Sequence, residues 1–396
     1  MKLKAVPADF RVEERLRRVP RGGGHTLFAI NKVGVTSLHV RDALARACGV
    51  PARLVAMPAL KDRRAEAVQH ATVPGEWPTE LRGPGWLARG VGAVRRPLGP
   101  ADLAGNGFRI VVRDLTRAEA ARLAAALDGV ARDGLPNVHD RQRYGSYAPG
   151  RGFIGEAVLR RDATAALRLY LCEDLLGDTA ATRAFKAAAR PAWPDWRTLF
   201  AMAPAPSNYR SVLTFLCDHP DAHRKALNLV PDRLLSVWLA AYQSWLWDRS
   251  LTLLLERAHH GRWRKVRSLP DLPPHALPLD PSPELVRRLG GLEMELPNAR
   301  ARWPEPEVQA AAQAALAEAA LTTGDLKARI VKRAWLGRGR RALWVRPLEL
   351  EVAEPLPDDR HPGRWSLAVS FVLGPGSYAT WVLRAAAARG GLRSAA

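Results

Sequence analysis

The stretch Met57-Pro-Ala-Leu-Lys-Asp-Arg-Arg-Ala-Glu-Ala-Val-Gln69 joins an apolar run to a knot of charge. The run LVAMPAL, residues 54–60, is expected to deliver Asp62 to the end of a strand, with Lys61, Arg63 and Arg64 on either side. A carboxylate among three cations suits a nucleophile or a base working near phosphates. Taken alone, the same pattern more often marks a surface ion pair. Downstream, AVQHATV alternates as a half-buried strand does. Upstream, LFAIN (Leu27 to Asn31) reads as a strand, and Thr36 or Ser37 can cap a helix through LHVRDALARAC that Gly49 ends. Further on, GFRIVVRDL predicts a strand leading into the capping box Thr116-Arg-Ala-Glu119, with a helix to Leu127 and Gly129 placed to stop it. Strands and helices mixed in this order, with short connections, predict an α+β domain.

From about Asp162 the texture changes. Helical spacing in AALRLYLCEDLLG and LLSVWLAAYQSWLWDRSLTLLL alternates with Pro- and Trp-rich segments, and an Ala-rich helix from Pro306 to Leu321 closes the block. Strand patterns return in RALWVRPLELEV and WSLAVSFVLG, before a glycine turn and a final helix through ATWVLRAAAA. If those strands join the first sheet, the helical block is an insertion.

The chain has 396 residues, 47% hydrophobic and 25% charged, which suits two globular domains and excludes disorder, collagen and coiled coil. Its net charge is +21, from 60 Lys and Arg against 39 Asp and Glu. Such an excess costs self-repulsion, and a polyanionic partner is the natural reason to carry it. The densest segment, Lys327 to Arg346, has no acidic residue and interleaves Trp335 and Trp344, a composition suited to RNA. Three widely spaced cysteines, Cys48, Cys172 and Cys217, argue for a reducing compartment. Without a signal-peptide pattern or a membrane-length apolar run, the chain reads as cytoplasmic. Phosphate-loop, dinucleotide and HExxH motifs are absent. Cys217, His219 and His223 match no standard zinc spacing, so no metal is expected.

Segments spread along the chain complete the reading. KDRRAEAVQ resembles the GxKDxxAxTxQ signature of the TruD family of tRNA pseudouridine synthases. LKAVPADFRVEE is similar to that family's LKxxPEDFxVEE, and GGGHTLFAINKVGVTS to GEGEHxxxxIxKxGxxT. AGNGFRIVVRD resembles GNxFxLxLR, LPNVHDRQRYG resembles VPNYFGxQRFG, and GRRALWVRP with FVLGPGSYAT resembles RRxLxxxP with FxLPxGSxAT. AAYQSWLWD lies where the family carries a YQSxLFN-like helix.

The resemblance implies a pseudouridine synthase fold, a mixed and largely antiparallel sheet with flanking helices, interrupted by a mostly helical insertion. The catalytic domain is expected over residues 1–160 and 339–396 and the insertion over 161–338. The implied activity is isomerisation of uridine 13 in tRNA without cofactor or metal, by a monomer, with other structured RNA admitted as a partner. Asp62 is implied as the catalytic residue. Lys4, Asn137 and His139 are implied as its support, with His139 replacing the family's aromatic beside the target base and Asp140 the following glycine. Lys61, Arg63, Arg64, Arg143, Arg340 and Arg341 are implied as RNA contacts, and Gln69, Gln142, Tyr144, Gly376, Ser377 and Thr380 as pocket wall; Gly105 and Asn106 are expected in a turn. A non-catalytic RNA-binding protein could keep this fold, but it would have no need of Asp62.

Overall fold

A computed structural model describes residues 1–17, 19 and 21–392. By its contacts the chain forms two compact units, Met1–Leu135 with Val345–Ala396, and Pro136–Trp344. The first is discontinuous in sequence, so the second is inserted into it.

The first unit is built on β1 (Phe10–Leu16), β2 (Arg21–Val33), β3 (Glu66–Pro74), β4 (Glu80–Gly83), β5 (Trp86–Val94), β6 (Leu103–Leu115) and the C-terminal strands Leu348–Val352, Leu356–Pro357 and Trp365–Leu373. Together they make one sheet, running from strand 348–352 through 365–373, β6, β1, β3, β2 and β5 to β4. Among the described residues of this sheet, only β1 and β3 pair in parallel; the other neighbours are antiparallel. This is the mixed, largely antiparallel sheet expected. β1 shows the period of two that places it, burying Phe10, Val12 and Glu14 while Arg11, Glu13 and Arg15 face outward.

Helix α1 (Ser37–Ala47) starts where Thr36 Oγ1 accepts the amide of His39 at 3.1 Å. It lays Val40 and Leu44 on Phe28 and Ile30 of β2, each buried side chain contributing roughly 1.5–3 kcal/mol. Helix α2 (Arg117–Asp133) begins on the expected box, with Glu119 N donating to Thr116 Oγ1 at 3.1 Å and Thr116 N to Glu119 Oε2 at 2.8 Å. It runs past Gly129, the expected stop, and ends at Gly134, whose φ is +73°. Val130 extends the buried row of Ala120, Leu123 and Leu127, and its burial outweighs the roughly 1 kcal/mol that a helical glycine costs against alanine.

Across the sheet, Arg113 of β6 is buried among carboxylates. Its Nε donates to Asp9 Oδ1 at 2.9 Å and its Nη1 to Asp358 Oδ1 at 2.8 Å. Asp358 also accepts the amides of Asp114 and Arg360. These bonds outweigh the opposing effect of burial and hold the Asp358 carboxyl below the usual range. The N-terminal turn, β6 and the loop before the last strand are thereby tied at one residue.

The second unit is organised on the 27-residue helix Asp232–Ala258, against which Ile154–Leu159 and Pro306–Glu318 pack. Strands are short there, in the pairs Trp263–Val266 with His275–Pro278 and Glu293–Glu295 with Arg340–Ala342. The boundary expected at residue 160 therefore falls at 135, and residues 339–344 belong here too. The reason is the helix Ile154–Leu159. Gly155 meets the long helix so closely that a Cβ there would lie 2.3 Å from the Trp238 carbonyl oxygen, a contact invisible from either segment alone. Among the described residues no helix is long and apolar enough to cross a membrane.

Two outcomes follow for stability. Gly129→Ala is expected to stabilise the protein by about 0.5–1 kcal/mol in denaturant unfolding, whereas Gly134→Ala, at positive φ, destabilises it by about 1–3 kcal/mol; equal effects would refute the placement of the helix end. Arg113→Met strips the counter-charge from buried Asp9 and Asp358 and is expected to cost about 3–5 kcal/mol. The depressed Asp358 carboxyl adds a pH signature: its stabilisation is present above the unfolded pKa near 4 and is lost as pH falls below it. The variant's unfolding midpoint should accordingly be less sensitive to acid than that of the parent.

Candidate active site

Asp62 lies on a loop just ahead of β3, not at a strand end. LVAMPAL forms no strand. Ala52–Leu54 is a 3-10 turn, Ala56 alone bridges Thr72, and the flanking Pro51 and Pro58 lack the N–H that a ladder requires. The loop is fixed from behind. Lys32 of β2, itself buried, donates from Nζ to the Asp62 carbonyl at 2.5 Å and to the Val35 carbonyl at 3.0 Å. Burial pushes its ammonium down to about 8, opposed by the charge of Asp62 and reinforced by that of Lys61. Ser37, at the start of α1, accepts the Lys61 amide at 2.8 Å and donates to Gln69 Oε1 at 2.7 Å. The Asp62 carboxylate faces the other way, with 28% of its side chain exposed and Lys4 Nζ 2.7 Å from Oδ2.

Lys4 is held in two ways. Its ammonium sits 4.1 Å from the Phe10 ring centroid, a cation–π contact of about 0.5–2 kcal/mol. Its backbone has φ +57°, a left-handed conformation costing a non-glycine residue about 1–2 kcal/mol. The strained residue is the one that pairs with the Asp62 carboxylate, and backbone strain of this size persists only where the surrounding structure enforces it.

Lys61 departs from expectation. Its side chain is only 7% exposed and its Nζ is 3.0 Å from Glu14 Oε1 and 2.7 Å from Asn106 Oδ1. Glu14, wholly buried, requires a counter-charge there, so Lys61 is an internal partner rather than an RNA contact. Asn106 and Gly105 are in β6, not in a turn. Gln69 is interior, engaged by Ser37 and by Met57 Sδ at 3.7 Å. Arg63 and Arg64 are exposed as expected, Arg63 Nε donating to the Gly34 carbonyl at 2.9 Å. Gly376 and Ser377 lie in the turn between the last strand and the helix Ala379–Arg389, and Thr380 is the second residue of that helix. Glu14, Lys32, Ser37 and Asn106 lie within the matched segments or beside them but carry no local sign of their task. The opposite face of the sheet opens a concavity of about 590 Å³ that contains neither Asp62 nor Lys4. Two of its arginines are paired within it, Arg11 with Glu66 and Arg15 with Glu349.

The remaining expected residues belong to the second unit, where His139 and Tyr144 meet on Asp248 of the long helix. Asp248 accepts the His139 amide at 3.0 Å, lies 2.8 Å from His139 Nδ1, and accepts the Tyr144 hydroxyl. The His139 ring is buried, edge-on to Trp247 at 5.6 Å. Burial above all, then the cations Arg341 and Arg143, keeps its pKa well below 6.5, while burial pushes the Asp248 carboxyl up to about 6. A hydrogen-bonded interior imidazole is not the open stacking surface expected of His139. Arg341 likewise clamps protein, its Nη2 reaching the Asn137 carbonyl at 2.6 Å and Oδ1 at 2.8 Å. Asn137 Nδ2 donates to the Ala342 carbonyl at 3.0 Å. Tyr144 is core. Gln142, Arg143 and Arg340 are exposed, Arg143 Nε meeting Ser244 Oγ at 2.9 Å. His223 Nδ1 pairs with Thr164 Oγ1 at 2.7 Å and the His219 ring packs on Phe215 at 4.7 Å.

The chain as a whole resembles known proteins. The family model described as tRNA pseudouridine synthase D (TruD) matches residues 1–264. The tRNA pseudouridine synthase D of Geobacter sulfurreducens is 34% identical over 265 residues, 65% of this chain, and the match spans 64% of that protein's length. That of Aquifex aeolicus is 24% identical over 392 residues, 97% of each chain. A crystal structure of a TruD protein from Methanosarcina mazei, at 21% identity, shares the fold with a TM-score of 0.67, covering 97% of this chain and 92% of the other. With two thirds of its sequence under the family model and its fold matched nearly end to end, this chain belongs to the tRNA pseudouridine synthase D (TruD) family.

Proposed function

We propose that this protein isomerises uridine to pseudouridine in tRNA, at uridine 13, with Asp62 as the residue that opens the glycosidic bond. The observation that carries the reading is the partly exposed Asp62 carboxylate, locked by Lys4 at 2.7 Å and backed by a loop that buried Lys32 holds from behind. A base stacked in structured RNA is out of reach of a side chain, so the nucleotide must first be flipped out. Asp62 then acts on the sugar or the ring, or as the base at C2′. The N1–C1′ bond breaks, the uracil turns, a C5–C1′ bond forms, C5 gives up its proton and N1 gains one. Atoms and oxidation state are unchanged, so the chemistry calls for no redox cofactor. The freed uracil must be retained until it rejoins, which requires a closed, dry pocket.

Within this reading Lys4 positions the carboxylate, and the exposed Arg63, Arg64, Arg143 and Arg340 meet phosphates, where guanidinium forks suit the geometry. Asn137 and His139 shape the protein around the substrate through Arg341 and Asp248. The enzyme is read as a cytoplasmic monomer.

Incubating the full chain with unmodified tRNA transcripts and mapping pseudouridine chemically tests the proposal. Wild type should modify one uridine, and Asp62→Ala should lose at least about 10³-fold in rate while retaining tRNA affinity. Binding without product from the wild type on any tRNA would sink the enzyme reading. Lys4→Met should lower kcat about 10²-fold through a misplaced carboxylate, with KM little changed; a change confined to KM would instead make Lys4 a phosphate contact.

A further inference from the structure

The basic segment Lys327 to Arg346 holds two tryptophans, and they have opposite fates. Trp344 is buried, whereas Trp335 is 73% exposed, more than any other large hydrophobic side chain among the described residues. Its exposure is imposed by the backbone. Ala334 and Leu336 on either side are buried, as is Val331, so the chain can only present residue 335 outward. The segment has no regular structure around the tryptophan, yet it is pinned along its length. The Lys332 amide donates to Asn228 Oδ1 at 2.9 Å, Asn228 Nδ2 to the Ile330 carbonyl at 2.8 Å, and Arg224 Nη2 to the Arg329 carbonyl at 3.0 Å. Beyond the tryptophan, Gln243 Nε2 donates to the Gly337 carbonyl at 2.7 Å and the Leu296 amide to the Gly339 carbonyl at 2.9 Å.

The surroundings are cationic. Lys327, Arg329, Lys332, Arg333, Arg338 and Arg340 of the segment are exposed, as are Arg224 and Lys225 of the short helix that Asn228 joins to it. Of these, Arg333 has a carboxylate partner, Asp232, at 3.0 Å. An indole fixed outward amid cations combines the two elements of single-stranded nucleic-acid binding, an aromatic face for a base and charge for the backbone. Preorganisation matters because a platform already ordered loses little entropy on binding. We propose that Trp335 is a stacking platform for an unpaired base of the tRNA, set in a basic surface that binds the adjoining phosphates. This rests on the reading that the protein acts on tRNA.

The test is the affinity of the full chain for unmodified tRNA transcript across a salt series, with pseudouridine formation measured separately. Trp335→Ala should weaken binding roughly 5- to 150-fold with its salt dependence and thermal unfolding midpoint unchanged, since an exposed, uncharged side chain is removed. Trp335→Phe should restore most of the affinity. Arg338→Ala and Lys332→Ala should instead flatten the salt dependence, by about 0.9 in log–log slope for each phosphate left without its cation. Wild-type affinity in Trp335→Ala overturns the proposal, and so does failure of Trp335→Phe to rescue or a lowered unfolding midpoint. Loss of a co-purifying protein with tRNA affinity intact overturns it in favour of a protein partner. Binding without product from the wild type sinks the catalytic reading and leaves the platform standing; no binding by the wild type overturns both.

Discussion

A buried ammonium holds the Asp62 loop in place. Lys32 lies inside the first unit, where a charge is tolerated only if its hydrogen bonds are met. The carbonyls that meet them belong to Val35 and Asp62. Fold and loop therefore enforce each other: the sheet cannot bury Lys32 without drawing the Asp62 backbone to it, and the loop has no regular structure to hold it otherwise. Ser37 and the Glu14–Lys61 pair add bonds to the neighbouring residue. All of them act on backbone or on residue 61, whereas the Asp62 carboxylate is partly exposed and paired with Lys4.

How much of this could be read from the residues alone depends on the range of the interaction. Patterns closed within a few positions were legible: the alternation of β3, the Thr116–Glu119 box and the mainly helical texture of the middle block all appear where expected. The motif segments also led to Asp62 and Lys4, which the structure brings to 2.7 Å. Partners drawn from distant strands were not legible. Lys61, beside Arg63 and Arg64, reads as one more surface cation until β1 supplies Glu14 and β6 supplies Asn106. His139 reads as an aromatic substitute until the long helix supplies Asp248. Gly129 reads as a helix stop because a local rule cannot weigh the burial of Val130.

The same distinction sorts the surplus charge. Several cations in the family-like segments are engaged with protein: Arg113 with Asp9 and Asp358, Lys61 with Glu14, Arg341 with Asn137, Lys32 with carbonyls. Lys186, outside those segments, is fully buried against Asp178. A buried cation adds to net charge but little to attraction at the surface, because its field is largely cancelled by the group that permits its burial. The formal +21 is thus a poor guide to where a polyanion would dock. A better one is exposure without a nearby carboxylate.

By that criterion the segment around Trp335 differs from the outer face of the sheet, although both are rich in arginine. On the sheet, Arg11 and Arg15 are answered by Glu66 and Glu349, leaving a solvated and nearly balanced surface. Around Trp335 the segment from Lys327 to Arg346 has no acid of its own; Asp232 answers Arg333 and Asp325 lies near Arg329, so its field is cancelled only in part. Long-range attraction of this kind brings a polyanion close and orients it without selecting a sequence. An indole held outward by buried neighbours adds a contact whose energy depends on a base being unpaired and accessible. Charge alone would retain any nucleic acid; charge with a fixed aromatic face favours one that has a loop to offer, which folded tRNA does.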